Sequence, residues 1–143
     1  MMTPSNALLT EPEFLTVDDV LGLHAVQLTR YGGAGGLRDR ALLEAAMAQP
    51  MASFGGTCLH PDLWSMAVAY LYHLVQNHPF IDGNKRTAFA VTYTFLVING
   101  ARLTATPVKT ENFILGLYAD GLFDFEHLSQ WLRNNVMLEA TRN

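Results

Sequence analysis

Apolar residues recur at helical spacing in several blocks of the chain, and short polar or glycine-bearing breaks separate the blocks. The first, "LTVDDVLGLHAVQLTRYGG", opens with a capping pattern of Thr16 followed by Asp19 at the third position. Val20, Leu23 and Leu28 then fall at roughly helical intervals, and Gly32-Gly33 closes the segment. Residues 1 to 15 lack such a pattern and read as an irregular arm. "AGGLRDRALLEAAMAQP" reads as a glycine-rich link and then a helix over about Asp39 to Gln49, stopped by Pro50. "MASFGGTCLHP" is the least regular interior piece. Gly55-Gly56 between β-capable residues fits a short hairpin or an ordinary surface loop.

"DLWSMAVAYLYHLVQN" is a helix with Asp62 as its N-cap. "KRTAFAVTYTFLVING" is rich in β-branched residues, but 16 residues is long for a strand. It therefore reads as a helix, apolar almost all round, that runs through the core and ends at Asn99-Gly100. "ENFILGLYADG" and "DFEHLSQWLRNNVMLEA" complete an all-α reading: a compact bundle of about six helices, with a short β-hairpin as the alternative for residues 51–61. In the last helix Leu128, Trp131, Leu132 and Val136 make an apolar face for the core or for a partner groove. With no repeat, low-complexity run or second domain, residues 1–143 read as one domain.

Composition narrows the function. Half of the residues are hydrophobic and 15% are charged, which excludes a disordered chain. The net charge of −4 provides no overall basic field, so no direct nucleic-acid binding is expected. Cys58 is the one cysteine, which excludes an internal disulfide and a multi-cysteine zinc site. No basic start followed by an apolar run marks a secretory leader, and Tyr, His, Thr and Gln interrupt the apolar stretches. A cytoplasmic location without membrane insertion is expected.

The chemistry concentrates in "HPFIDGNKR", residues 78 to 86, between the two most hydrophobic segments. Pro79 disfavours helix at His78 and Gly83 permits a sharp turn, so the stretch is a loop that re-enters a helix near Asn84. Unpaired amides at a helix start attract anions, and Lys85 and Arg86 add positive charge there. Asp82 offers a hard oxygen ligand for magnesium, which commonly bridges one carboxylate to phosphates and keeps its waters. His78 is the nearby group that titrates close to neutrality, so it suits a general base. Phe80 can anchor the loop in the core. These groups together fit attack on a phosphate; the competing reading is a loop whose polar residues only satisfy backbone groups.

The same stretch resembles the signature of the Fic/Doc superfamily, His-Pro-Phe-x-Asp/Glu-Gly-Asn-Gly/Lys-Arg, at every specified position. Lys85 resembles the Doc (death-on-curing) branch, where typical Fic adenylyltransferases carry a glycine. "GLRDRALLEAAMAQP", "FGG" and "LHPDLWSMAVAYLYHLVQNHPF" are similar to the usual approach to the motif in Doc proteins. "KRTAFAVTYTFLVINGARL" is similar to their exit from it, and the likeness spans about residues 20 to 105. The resemblance implies an all-α Fic fold and transfer of part of ATP or another nucleoside triphosphate, with Mg2+, to a protein hydroxyl. It implies His78 as the base, Asp82 as the magnesium ligand, Gly83 and Asn84 as an anion hole and Arg86 on a terminal phosphate. A lysine at position 85 crowds one phosphate subsite; in Doc toxins this accompanies an inverted nucleotide and transfer of the γ-phosphate to a threonine of elongation factor Tu. Pro79 and Gly83 follow the Fic side of the family, which makes AMP transfer to a protein hydroxyl the alternative. A catalytically silent binding module is a third reading, against which the intact His78, Asp82, Asn84 and Arg86 stand.

The resemblance also bears on regions outside the motif. It implies that residues 51–61 form a flap that clamps a target segment, with Phe54, Gly55 and Gly56 as its docking positions; an ordinary loop is the equal alternative. Self-inhibited Fic proteins carry a Ser/Thr-x-x-x-Glu-Gly/Asn helix. The Glu followed by Asn here, Glu111, has Pro107 four residues before it, so the pattern is missing and a separate antitoxin chain is the expected restraint. Arg38 and Asp39 read as a salt bridge at a helix start. His73 reads as a packed or partly exposed histidine rather than a ligand, and His24, His60 and His127 show no metal spacing. Cys58 has no basic neighbour to activate it.

Overall fold

Six helices and two short antiparallel strand pairs make up the computed structural model, which describes residues 11–139. In chain order they are α1 (Val17–Tyr31), α2 (Arg40–Ala48), β1 (Ser53–Phe54), β2 (Thr57–Cys58), α3 (Leu63–Asn77), α4 (Asn84–Ile98), β3 (Ala101–Leu103), α5 (Pro107–Ala119), α6 (Phe125–Asn135) and β4 (Val136–Leu138). A single 3-10 turn, Gln49–Met51, follows α2 and takes up Pro50 near its start, where the missing N–H costs nothing. Residues 1–10 of the expected arm lie outside the described residues; residues 11–15 have no regular structure.

Local chemistry explains most of the helix starts. Thr16, Asp39, Asp62, Thr106 and Asp124 each accept a backbone N–H three residues on, which satisfies a donor that the helix leaves unpaired. Thr16 and Asp62 form full capping boxes with Asp19 and Ser65. The exception is α4, which starts at Gly83 with no capping side chain.

Helix α3 is the centre of the core and packs on α4, α2 and α6, while α1 lies against α4. Tyr70, Leu71 and Leu74 of α3 are sealed beneath Leu43 of α2, Phe95 of α4 and Leu128 of α6. Leu128, Leu132 and Val136 belong to this core, and Trp131 packs on it, stacked on Phe113. The buried Tyr70 hydroxyl accepts the Leu15 N–H at 3.0 Å and ties the segment before α1 to the core. Burial pushes that hydroxyl's pKa up to about 12.

Two expectations need correction. Helix α4 is not buried all round: α3 and α1 pack on one side of it, while Tyr93, Val97 and Ile98 are exposed. The last segment is not helical to its end either. After Asn135 the chain turns extended, and Val136–Leu138 pairs with Ala101–Leu103 in the register Ala101↔Leu138, Arg102↔Met137, Leu103↔Val136. Val136 is buried there, so burial and pairing override the helical pattern. Among the described residues no helix is long and apolar enough to cross a membrane.

Candidate functional site

The loop between α3 and α4 is held from three sides. His78 caps the C-terminus of α3 at φ 51, ψ 55, the one left-handed non-glycine residue described. Pro79 blocks a further helical turn at this point, and the left-handed backbone costs a residue with a Cβ roughly 1–2 kcal/mol. Arg38 stabilises it: its Nε donates to the His78 carbonyl at 2.7 Å and its terminal nitrogen to the Asn77 carbonyl at 2.9 Å. The segment before α2 then runs antiparallel to the loop. The Arg38 and Asp39 N–H groups donate to the Pro79 carbonyl (2.7 and 3.0 Å), and the Ile81 N–H donates to the Gly36 carbonyl (3.0 Å). The expected Arg38–Asp39 salt bridge does not form. Arg38 closes the end of α3 and Asp39 caps the start of α2 through the Leu42 N–H.

Inside the loop, Phe80 is 2% exposed and Asn84 6%. The Asn84 amide oxygen accepts the Phe80 N–H and its nitrogen donates to the Phe80 carbonyl, both at 2.9 Å. His24, on α1, is also buried. Its ring stacks on Phe80 with centroids 3.8 Å apart, and its Nε2 lies 2.8 Å from the Asp82 carbonyl. The sequence-based anion hole of Gly83 and Asn84 therefore has Asn84 available through its backbone only, because the side chain closes the loop.

The polar groups face outward around this anchored turn. Gly83 has φ 78, and the Thr87 N–H is the first to close a helical bond, to the Gly83 carbonyl at 3.0 Å. The Asn84, Lys85 and Arg86 N–H groups thus start an uncapped helix. They open on a cleft of about 370 Å³ lined by His78, Asp82, Gly83, Lys85, Arg86 and Glu111. The Asp82 carboxylate is at its edge and receives the Gly83 N–H at 3.0 Å and the Ala34 N–H at 3.3 Å. Gly33 approaches it so closely that a Cβ there would lie 2.9 Å from Oδ2.

Both cations of the motif have protein partners. Lys85 Nζ rests 4.1 Å from the centroid of the Tyr118 ring, so its side chain leans toward α5. Arg86 lies over the Tyr31 ring at 3.9 Å and pairs with Glu111 at 3.2 Å. Arg86 and Glu111 also border a second groove of about 300 Å³ under the open face of α4, where Phe89 and Tyr93 lie.

The remaining sequence candidates lie elsewhere. The hairpin β1–β2 forms, turning through Gly55 (φ 58) and Gly56 (φ 82), with Phe54 82% exposed, and it does not line the cleft. His60 and His73 both pack against Phe125. Burial lowers the pKa of each; for His73 the neighbouring His60 adds to the effect, and for His60 the Asp62 charge opposes it. His127 bonds Asp124 at 2.8 Å and Cys58 is exposed. No group of three metal-binding side chains occurs among the described residues. The residues that the sequence did not assign to the site are His24, Arg38, Tyr31, Gly33 and Glu111. His24 falls four residues after Val20 on the buried stripe, which was a legible signal for burial but not for its partner.

An uncapped helix start, an adjacent carboxylate and an exposed imidazole thus share one cleft on the helical core. The Fic/DOC family pattern matches residues 14–96. The chain belongs to this family. Over 93 residues it is 45% identical to Toxin Doc of Mycolicibacterium smegmatis, a match that covers 65% of this chain and 69% of that one. It is 30% identical over 93 residues to Protein kinase doc of Escherichia phage P1, covering 65% and 73%. Its affinity is with the Doc branch.

Proposed function

We propose that this chain is a Doc-like toxin that transfers the γ-phosphate of ATP, or another nucleoside triphosphate, to a Thr or Ser hydroxyl of a translation factor such as elongation factor Tu. The observation that carries this reading is the uncapped start of α4, open on the same cleft as His78, Asp82, Lys85 and Arg86. The names of the two Doc relatives support it. In this reading the amides of Asn84 to Arg86 hold phosphate oxygens, and no carbonyl or side chain among the described residues competes for them. His78 accepts the proton of the target hydroxyl as its oxygen attacks phosphorus and the nucleoside diphosphate leaves. Its side chain is exposed and makes no hydrogen bond to a described residue, so it can reach a hydroxyl at the cleft mouth. A magnesium ion would fit Asp82, which unlike Glu111 has no cationic partner among the described residues, because it commonly keeps its waters and takes its other ligands from phosphates. When bound it would offset the charge of the phosphates, and Asp82 would hold it. The flap residues Phe54, Gly55 and Gly56 are the docking edge for the target segment. A separate antitoxin chain is the partner that restrains the protein.

A second reading, transfer of AMP to a protein hydroxyl, has one observation in its favour. Lys85 lines the cleft, but its Nζ rests on the Tyr118 ring of α5, which directs its charge to the rim. The toxin reading is tested by induced expression in bacteria. Growth and amino-acid incorporation should stop with this chain and continue with His78→Ala at equal protein level. Continued growth with the unaltered chain would overturn the reading.

A further inference from the structure

We infer that His24 is a positioning residue that locks the Asp82–Gly83 peptide with its N–H turned outward, toward the phosphate site. The inference rests on the reading of the α4 start as a phosphate cradle. A peptide next to glycine turns over easily, because glycine accepts both signs of φ. In a trans peptide the carbonyl and N–H point in opposite directions, and none of the described peptides is cis. The Asp82 carbonyl points inward and lies 2.8 Å from His24 Nε2. The Gly83 N–H therefore points away from His24 and donates to the Asp82 carboxylate at the cleft edge, at 3.0 Å. Turned over, the same peptide would present a carbonyl oxygen beside the amides of Asn84 to Arg86 and repel a phosphate. A cradle of this kind works only when its dipoles are fixed beforehand.

Everything around His24 fixes the ring for that single contact. It is 6% exposed, its plane lies 11° from that of Phe80 at 3.8 Å, and Gly83 is so close that a Cβ there would touch the ring at 3.7 Å. A carbonyl oxygen only accepts, so Nε2 must carry the proton. Both the neutral Nε2–H tautomer and the imidazolium meet this condition. The motif residues supply the groups that face the phosphate, and His24, outside the motif on α1, sets their direction.

The test uses the full chain labelled with 15N and titrated with inorganic phosphate, following the amides of Gly83, Asn84, Lys85 and Arg86. The unaltered chain should show them shifting together. His24→Phe keeps the stack on Phe80 and removes the donor. It should keep cooperative thermal unfolding, lose the Gly83 response and bind phosphate roughly tenfold more weakly. His24→Gln returns a donor near Nε2 and should recover most of the affinity, which a role in packing alone would not produce. Equal phosphate affinity and an unchanged Gly83 response in His24→Phe would overturn the lock while leaving the cradle in place. Absence of any phosphate response at these amides in the unaltered chain would overturn the cradle and the lock together. The unaltered chain also decides the matter without a variant: 15N shifts of the His24 ring that show a proton on Nδ1 alone would refute the inference.

Discussion

Asn84→Ala gives a sharp test of how the site is held. The structure uses this side chain as an internal strut: it accepts from Phe80 N–H and donates to Phe80 C=O at 2.9 Å each, at a position 6% exposed against a neighbour 2% exposed. Alanine would leave both backbone groups buried without partners. Each such loss costs about 1–3 kcal/mol, so the pair comes to roughly 3 kcal/mol after some relief from an entering water. For a chain of this size that corresponds to about 9 °C in Tm, at about 3 °C per kcal/mol. Equilibrium denaturation in urea with parallel calorimetry would measure it. Asn84→Asp sharpens the result. Its carboxylate still accepts from the Phe80 N–H but sets its second oxygen against the Phe80 carbonyl. Protonation restores a donor there, so the folded state favours the protonated form, and the variant should gain stability as the pH falls. The reasoning fails if Asn84→Ala loses under about 0.5 kcal/mol while phosphate binding collapses, because that result would place the amide on the phosphate and not on Phe80.

Three further outcomes follow from contacts around the cleft. Glu111→Gln releases Arg86 from a half-exposed pair, so stability should change by less than about 1 kcal/mol, while calorimetric titration should show ATP binding a few-fold more tightly. Gly33→Ala puts a Cβ 2.9 Å from Asp82 Oδ2 at φ +120; the carboxylate should be displaced, with magnesium-dependent activity falling more steeply than Tm. His60 and His73 have folded pKa values below their ordinary 6.5, so the folded state binds fewer protons than the unfolded chain. Their stability contribution is complete above that value and declines as the pH falls through it toward the folded values. Thermal midpoints should therefore drop from pH 7.5 to 5.5, and His73→Gln should flatten the slope.

The elements that local chemistry specifies were legible in the sequence. Thr16 and Asp62 start their helices, Gly32 ends α1, Pro50 follows the end of α2, and Phe80 anchors the loop. The start of α4 near Asn84 was legible for the same reason, because a glycine after a proline-bearing turn determines where the helix can begin. What was not legible depends on partners distant in sequence. The register between residues 101–103 and 136–138 arises from pairing across 33 to 37 positions, and no local pattern encodes it. Arg38 looked like half of a local ion pair, yet its partners are carbonyls about forty residues away. The contact between Glu111 and Arg86 joins α5 to α4, and neither residue's neighbours in sequence indicate it. His24 looked like an isolated histidine without metal spacing until the fold set it under Asp82.

The central claim is that the cleft at the start of α4 transfers phosphate with His78 as base. Its most direct test is paired labelling. The chain and its His78→Ala form would be mixed with a bacterial lysate, magnesium and ATP labelled at either the α- or the γ-phosphate. The account predicts one protein band labelled from the γ-phosphate and lost in His78→Ala. Label from the α-phosphate alone would assign AMP transfer to the cleft and remove the kinase reading. A lack of His78-dependent label from either position would contradict the claim that the cleft carries out transfer.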